Sequence, residues 1–352
     1  MTSRERVLLA LRHREADRVP ILDVPWPESE TRWHREGMPA AVSAHDYFGY
    51  EIATFGANLS FQFPKVVIKE DDTHVVYTND FGLTCQEFKD HESVPEQIDF
   101  RIRSREDWEE HKPRLAWNDA RVDWPVLRRD YQEARRKDSY TRFIAGFGFD
   151  LVRRVIGAER LLLALVEEPS WIKDVYDTIA EQIIHACEEM MDRGCDFDGA
   201  YLWNDQAYKN GTFFSPAAYR ALEFPAQKRM CDFFHARGML VTLHTDGDVR
   251  RFIPFFVEAG FDCLQPLEVK AGMDLVELKK QYGDRLCLMG GIDTRAMADP
   301  DPSVIEREIR TKLSAAKVGG GYIYHSDHSV PDNVSFQQYE RVIELVHRYG
   351  AY

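Results

Sequence analysis

MLVTLHTDGDVRRFIPFFVEAGFDCLQPLE, residues 239–268, holds two short apolar runs separated by a helical stretch, and its reading decides the fold. MLVTLHTDG reads as a buried strand, VRRFIPFF opens an amphipathic helix, and DCLQPLE reads as a second strand. Two strands joined by a helix pair in parallel, because the crossover returns the chain to the same edge in the same direction. The unit recurs on both sides. TRFIAGF (141–147) and GAYLWND (199–205) precede it, with helices through about residue 190 and another from about Ser215 to His235. RLCLMGGID (285–293) and GGYIYHSD (320–327) follow, each after a helical segment. Near the start, a helix over 2–14 with Ser3 as its N-cap precedes RVPILD (18–23) and IATFGANLSF (52–61) as the first two strands. Eight strand-then-helix units predict a (β/α)8 TIM barrel, with a doubly wound open sheet as the competing arrangement. No GxGxxG follows the first strand.

The texture changes after the second strand. KVVIKEDDTHVVYTNDFGLTCQEFKD (65–90) alternates β-branched runs with Glu-Asp-Asp and Asn-Asp-Phe-Gly turns, predicting an inserted β-hairpin region over about 62–117. Otherwise residues 1–352 read as one domain, since no low-complexity tract or short repeat divides them.

Composition narrows the function. Lys and Arg total 45 against 59 Asp and Glu, a formal charge of -14, which disfavours extended contact with nucleic acid or an anionic membrane. The N-terminus lacks a signal-peptide pattern and no apolar run is long enough to span a bilayer, so a soluble, cytoplasmic protein is expected. Six scattered cysteines without a CxxC pair imply reduced thiols. The absence of a G-x-S-x-G elbow, a P-loop and HExxH argues against serine hydrolase, nucleoside triphosphatase and zincin chemistry.

In a parallel barrel the C-terminal strand ends face the pocket. Asp23, Asn204, Asp205, His244, Asp246, Glu268, Asp293, His325, Asp327 and His328 all fall there. Each acid has the alternative role of capping the next helix. His244 and Asp246, two apart on an extended strand end, point the same way and suit a metal, and Gly247 permits the sharp exit. Asp248 reads as a helix cap. HSDH (325–328) adds imidazole and carboxylate donors, with Asp327 and His328 as ligand candidates beside His244 and Asp246. His325 and Asp293 are candidates for contact with substrate. Glu268 is a ligand or general acid/base, or else a rim ion pair, and Asp205 a proton-transfer or substrate-binding group. Tyr208 and Lys209 could face an anion or simply the surface. Asp23, Trp26 and Trp203 are pocket candidates, the tryptophans sharing with Phe147 and Phe149 the alternative of filling core.

RERVLLALRHREADRVPI (4–21), HDYFGYE (45–51), SREDWEEHKPRL (104–115), HTDGD, PLEVKAGMD (266–274), YGDRLCLMGGID (282–293) and VPDNV (330–334) together resemble the uroporphyrinogen decarboxylase superfamily nearly end to end. The resemblance implies the same barrel and one of two chemistries. Cofactor-free decarboxylases of tetrapyrroles carry an arginine-rich segment after the first strand; here that stretch is PWPESETRWHREG, with Arg32 and Arg35 but without the motif. Zinc-dependent methyltransferases pass methyl groups between corrinoid carriers and thiols, using a His-x-Cys pair where this chain has His244-Thr245-Asp246 and a late Cys near Asp327 or His328. Replacing both cysteines exchanges soft donors for harder ones. The leading expectation is a metal-assisted methyltransferase-like enzyme using zinc or manganese, with Asp205, Asp246 and Glu268 in catalytic roles, a small-molecule substrate and a corrinoid protein as partner. A decarboxylase and a non-catalytic tetrapyrrole- or corrinoid-binding barrel are the alternatives, and assembly as a homodimer stays open.

Overall fold

The computed structural model describes residues 1–90 and 95–352; positions 91–94 of the expected insertion lie outside the described residues. In chain order the strands are β1 Ile52–Gly56, β2 Val66–Glu70, β3 His74–Thr78, β4 Leu83–Phe88, β5 Glu96–Phe100, β6 Tyr140–Gly146, β7 Gly199–Trp203, β8 Ala207–Tyr208, β9 Gly211–Thr212, β10 Leu240–His244, β11 Cys263–Gln265, β12 Cys287–Met289 and β13 Tyr322–Ile323. Seven of them form one curled sheet in the order β1-β6-β7-β10-β11-β12-β13, every pair parallel. Helices such as Pro169–Asp192, Phe224–His235 and Phe336–Gly350 bury one apolar face on the outside of the sheet. The architecture is consistent with a TIM-like barrel.

RVPILD does not form a regular strand. Pro20 has no amide to donate, so the segment makes single bridges instead of a ladder. Ile21 pairs with Tyr324, and the Glu51 amide donates to the Ile21 carbonyl at 3.0 Å, so this segment touches both edges of the curled sheet. The second expected strand is shorter than 52–61 and ends at Gly56, where a Cβ would stand 2.8 Å from the Ile144 Cγ2. Thr2, not Ser3, caps the first helix, because its hydroxyl and the Glu5 side chain close a reciprocal capping box.

Within the expected insertion, β2-β3-β4-β5 form a four-stranded antiparallel sheet, followed by helix Arg105–His111 and two short 3₁₀ turns. Tyr77, Leu83 and Cys85 form a small apolar cluster of its own beneath it. No helix among the described residues is long and apolar enough to cross a membrane.

Candidate active site

β7 and β10 lie side by side, with His244 paired to Trp203 in the parallel register, so the residues just past both strands emerge together. The Asn204 amide donates to the His244 carbonyl at 2.9 Å and extends the pairing one step beyond the sheet. Gly247 then turns the chain with φ 84°. A Cβ there would stand 2.6 Å from the Ala207 carbonyl carbon, so only glycine lets the two loops touch. The close approach carries the Asp246 amide to Asp205 Oδ1 at 3.0 Å and the Gly247 amide to Glu268 Oε2 at 2.8 Å.

Three side chains converge as a result. His244 Nε2 stands 3.5 Å from Asp205 Oδ1 and 3.8 Å from Asp246 Oδ2. One donor atom from each of the three lies within 4.8 Å of the others, the one such group of His, Cys, Asp and Glu among the described residues. These separations are too long for good hydrogen bonds and suit ligands around a shared cation. Asp246 Oδ1 is buried and has no hydrogen-bond partner among the described residues. Burial pushes the Asp246 carboxyl up to about 6; the Asp205 charge adds to the rise, and His244 and His328 oppose it.

A second layer sets the orientation of His244. Gln265, the last residue of β11, places Oε1 2.5 Å from His244 Nδ1 and accepts the Tyr201 hydroxyl at 2.9 Å. Its amide nitrogen stands 3.2 Å from His325 Nε2, and His325 Nδ1 is 2.7 Å from the Ser326 carbonyl. The chain of contacts has one consistent set of protons. A carbonyl can only accept, so His325 carries its proton on Nδ1 and accepts from the Gln265 amide. Gln265 Oε1 must then receive the His244 Nδ1 proton, which leaves Nε2 as the nitrogen that faces the two carboxylates. Burial lowers the His325 pKa and keeps that ring neutral. Two carboxylates and a ring nitrogen this close need a cation, proton or metal, between them.

The remaining expected residues fall into different places. Asp327 is not with the cluster: its Oδ2 accepts the Val269 amide and its Oδ1 the Thr294 amide, both at 3.0 Å, so it ties together the loops after β11 and β12. His328 is outside the compact group and stacks on Trp26, ring centroids 6.4 Å apart, although its charge still reaches Asp246. Asp293 caps helix Thr294–Met297 and pairs with Arg295, which removes it from the pocket. Asp23 is fully engaged in the interior, accepting from Tyr339 at 2.9 Å, Tyr324 at 3.3 Å and Ser326. His325 supports Gln265 from behind and is 2% exposed. Glu268 borders the cluster through Gly247 and pairs with Lys270 at 3.3 Å. Tyr208 is half exposed beside Phe213, and Lys209 is exposed. Phe147 and Phe149 are core, whereas Trp26 and Trp203 line a cavity of about 530 Å³.

Gln265 and Tyr201 were not among the expected site residues. A polar side chain inside the apolar run CLQ was the available signal for the first; Tyr201 carries none, since tyrosine in a strand is ordinary.

The family model for Uroporphyrinogen decarboxylase (URO-D) matches residues 142–349, a span that contains the whole cluster and its supporting layer but not the inserted sheet. Among curated proteins, the uroporphyrinogen decarboxylase of Pectobacterium carotovorum subsp. carotovorum is 28% identical over 112 residues, 32% of this chain and 30% of that protein. That of Salmonella arizonae is 28% identical over 115 residues, 33% and 31%. The matched region thus spans under a third of these relatives' length. Among solved structures, a methyltransferase from Methanosarcina mazei superposes with a TM-score of 0.67 over 100% of both chains at 16% identity, a likeness of fold.

Proposed function

Because this chain belongs to the uroporphyrinogen decarboxylase family, we propose that it is a metal-assisted, methyltransferase-like enzyme acting on a small molecule, with a corrinoid or thiol as methyl carrier. The observation that carries this reading is the Asp205–His244–Asp246 group, with His244 Nε2 turned toward both carboxylates and Asp246 Oδ1 buried without a partner among the described residues. One imidazole and two carboxylates are a fitting donor set for zinc or manganese. Bound there, such an ion supplies Lewis acidity, lowering the pKa of an acceptor thiol or hydroxyl.

The chain's own residues do the positioning. Gln265 holds the His244 ring through Nδ1, with Tyr201 and His325 holding Gln265 in turn. The Asp246 amide fixes one oxygen of Asp205, and the Gly247 amide fixes Glu268 at the rim, where its carboxylate is placed to move a proton. The neighbouring strands exclude water from the buried side of Asp246.

A specific observation favours a second reading, a cofactor-free carboxy-lyase. The Asp246 carboxyl is pushed up to about 6, so it holds its proton to higher pH than an ordinary carboxyl and, in its protonated fraction, can deliver it to a carbanion left by departing carbon dioxide. Elemental analysis of protein loaded with zinc or manganese separates the two. One equivalent of ion, lost in both H244A and D246N, supports the first reading. A chain that holds no ion and still releases carbon dioxide from a carboxylated substrate overturns it in favour of the second.

A further inference from the structure

The four-stranded sheet of residues 66–100 does not lie idle beside the barrel. Between it and the barrel mouth is the cavity of about 530 Å³, a volume typical of small-molecule pockets. Its lining divides by chemistry. Trp26 and Trp203 come from the barrel and Tyr77 and Phe81 from the inserted region, giving flat apolar walls from both sides. Arg153 and Arg154 complete it from helix Gly148–Ile156.

The two arginines share one acid. Arg153 donates through Nε to Asp150 Oδ1 at 2.8 Å, and Arg154 reaches Asp150 Oδ2 at 3.1 Å, while Asp150 itself is wholly buried. Two guanidinium groups against one carboxylate leave one surplus positive charge on the helix that supplies them. Asp80 and Glu87 border the cavity from the inserted region, where Asp80 accepts from Asn58 at 3.2 Å and Glu87 from the Tyr77 hydroxyl at 2.5 Å; these neutral donors leave both carboxylates charged, so the positive character is confined to the arginine helix. Arg154 further stacks on Trp203, 5.2 Å from its ring centroid, and remains 46% exposed, so its outer edge is free to donate. The half-exposed Arg154 guanidinium over an aromatic wall is the feature of this cavity suited to a carboxylate.

The cavity is tied to the candidate active site by backbone. Trp203 also lies against Gly146, where a Cβ would come within 2.2 Å of the indole. The Asp150 amide donates to Asn204 Oδ1 at 3.1 Å, and Asn204 immediately precedes Asp205. The arginine helix is therefore registered against the strand end that presents the cluster.

We infer that the cavity between the inserted sheet and the barrel mouth is the substrate site for a small aromatic carboxylate, its ring held among Trp26, Trp203 and Phe81 and its carboxylate met by Arg154, with the rest of the molecule directed toward Asp205. The inference deepens the reading above, on which it relies only for where the reacting end lies. Calorimetric titration of the full chain with 2-naphthoate and with the neutral 2-naphthamide tests it. The acid binds and the amide binds at least about tenfold more weakly. R154Q weakens the acid by about tenfold and leaves the amide unchanged; Asp150 keeps its bond to Arg153 in that variant, so the fold is retained, and an unaltered melting temperature checks this. W203L weakens both ligands alike. Equal affinity for acid and amide, no binding of the acid, or an R154Q variant that binds the acid as wild type does overturns the inference. H244A and D246N report separately on the metal. If wild-type protein takes up no zinc or manganese yet discriminates acid from amide through Arg154, the metal reading fails and the aromatic-acid site stands.

Discussion

Gln265 shows how much of a reactive site is decided by a residue that touches no substrate. Its one carbonyl oxygen receives the His244 Nδ1 proton and the Tyr201 hydroxyl, and by occupying Nδ1 it commits the other imidazole nitrogen to Asp205 and Asp246. Q265L keeps a similar volume and deletes both contacts. The expected outcome is a fall of about 10–100-fold in zinc affinity, read by competition with a chromophoric chelator, with little change in melting temperature. Unaltered affinity would mean that packing alone sets the ring. At this scale the sequence is a partial guide. The rule of polar residues at strand ends included Asp205, His244 and Asp246, which lie together, yet it also gathered Asp23, Asp293 and Asp327, whose oxygens are consumed by hydroxyls and backbone amides. An acid after a strand looks identical in either role, because what distinguishes them is which loop amides lie within 3 Å, and those belong to distant parts of the chain.

Among the elements, the helical segment predicted from about Ser215 to His235 contains an irregularity that period-3.6 reading does not reveal. Ser215 caps its start, but Tyr219–Glu223 is a π-helical turn, which shifts Glu223 inward against β7. There its buried carboxyl accepts from Asn204 at 2.6 Å, from Gln206 and Gln227 at 2.7 Å, and from the Phe149 amide at 3.2 Å, holding both neighbours of Asp205. Burial pushes its pKa up to about 8, against which these donors pull only partly. A carboxyl raised above its unfolded value of 4.5 binds its proton more tightly in the native state, so stability declines as pH rises between 4.5 and 8 and levels off above. E223Q removes that titration. The stability difference between the variant and wild type should move in favour of E223Q by about 1.4 kcal/mol per pH unit across this window, measured by thermal or urea denaturation. A difference independent of pH would show that Glu223 is ionised throughout. The strands themselves were legible: six of the seven parallel strands fall inside the predicted runs and β6 starts one residue before its run, since continuous apolar stretches between helices have few other uses. The turn-rich stretch from 65 to 90 likewise contains β2, β3 and β4. RVPILD failed as a ladder for a reason printed in it, the proline at 20.

At the scale of the whole molecule, the curled sheet has two edges, β1 and β13, and their meeting depends on a segment that cannot make a full strand. Side chains supply what the ladder lacks. At one end of the segment Glu51, beside β1, accepts the Ile21 amide at 2.7 Å and Arg18 at 2.9 Å, and pairs with Arg6 of the first helix. At the other, Asp23 collects the hydroxyls of Tyr324 and Tyr339 and the Ser326 side chain, contacts that span more than 300 residues of sequence. Both tyrosines are completely buried, so removing the acceptor strands the Tyr324 hydroxyl away from water and leaves the Tyr339 hydroxyl only its bond to Tyr50. D23A is therefore expected to destabilise the fold by about 3–5 kcal/mol, as a lowered urea midpoint at unchanged slope. D23N keeps one carbonyl oxygen for the tyrosines and should recover part of the loss. If alanine and asparagine cost the same, the acceptor role is not what joins the first segment to the last strand and helix, and apolar contacts such as Ile21 must carry the closure. If D23A is nearly neutral, the two edges are held by the Glu51 side alone, and E51Q should then produce the larger loss.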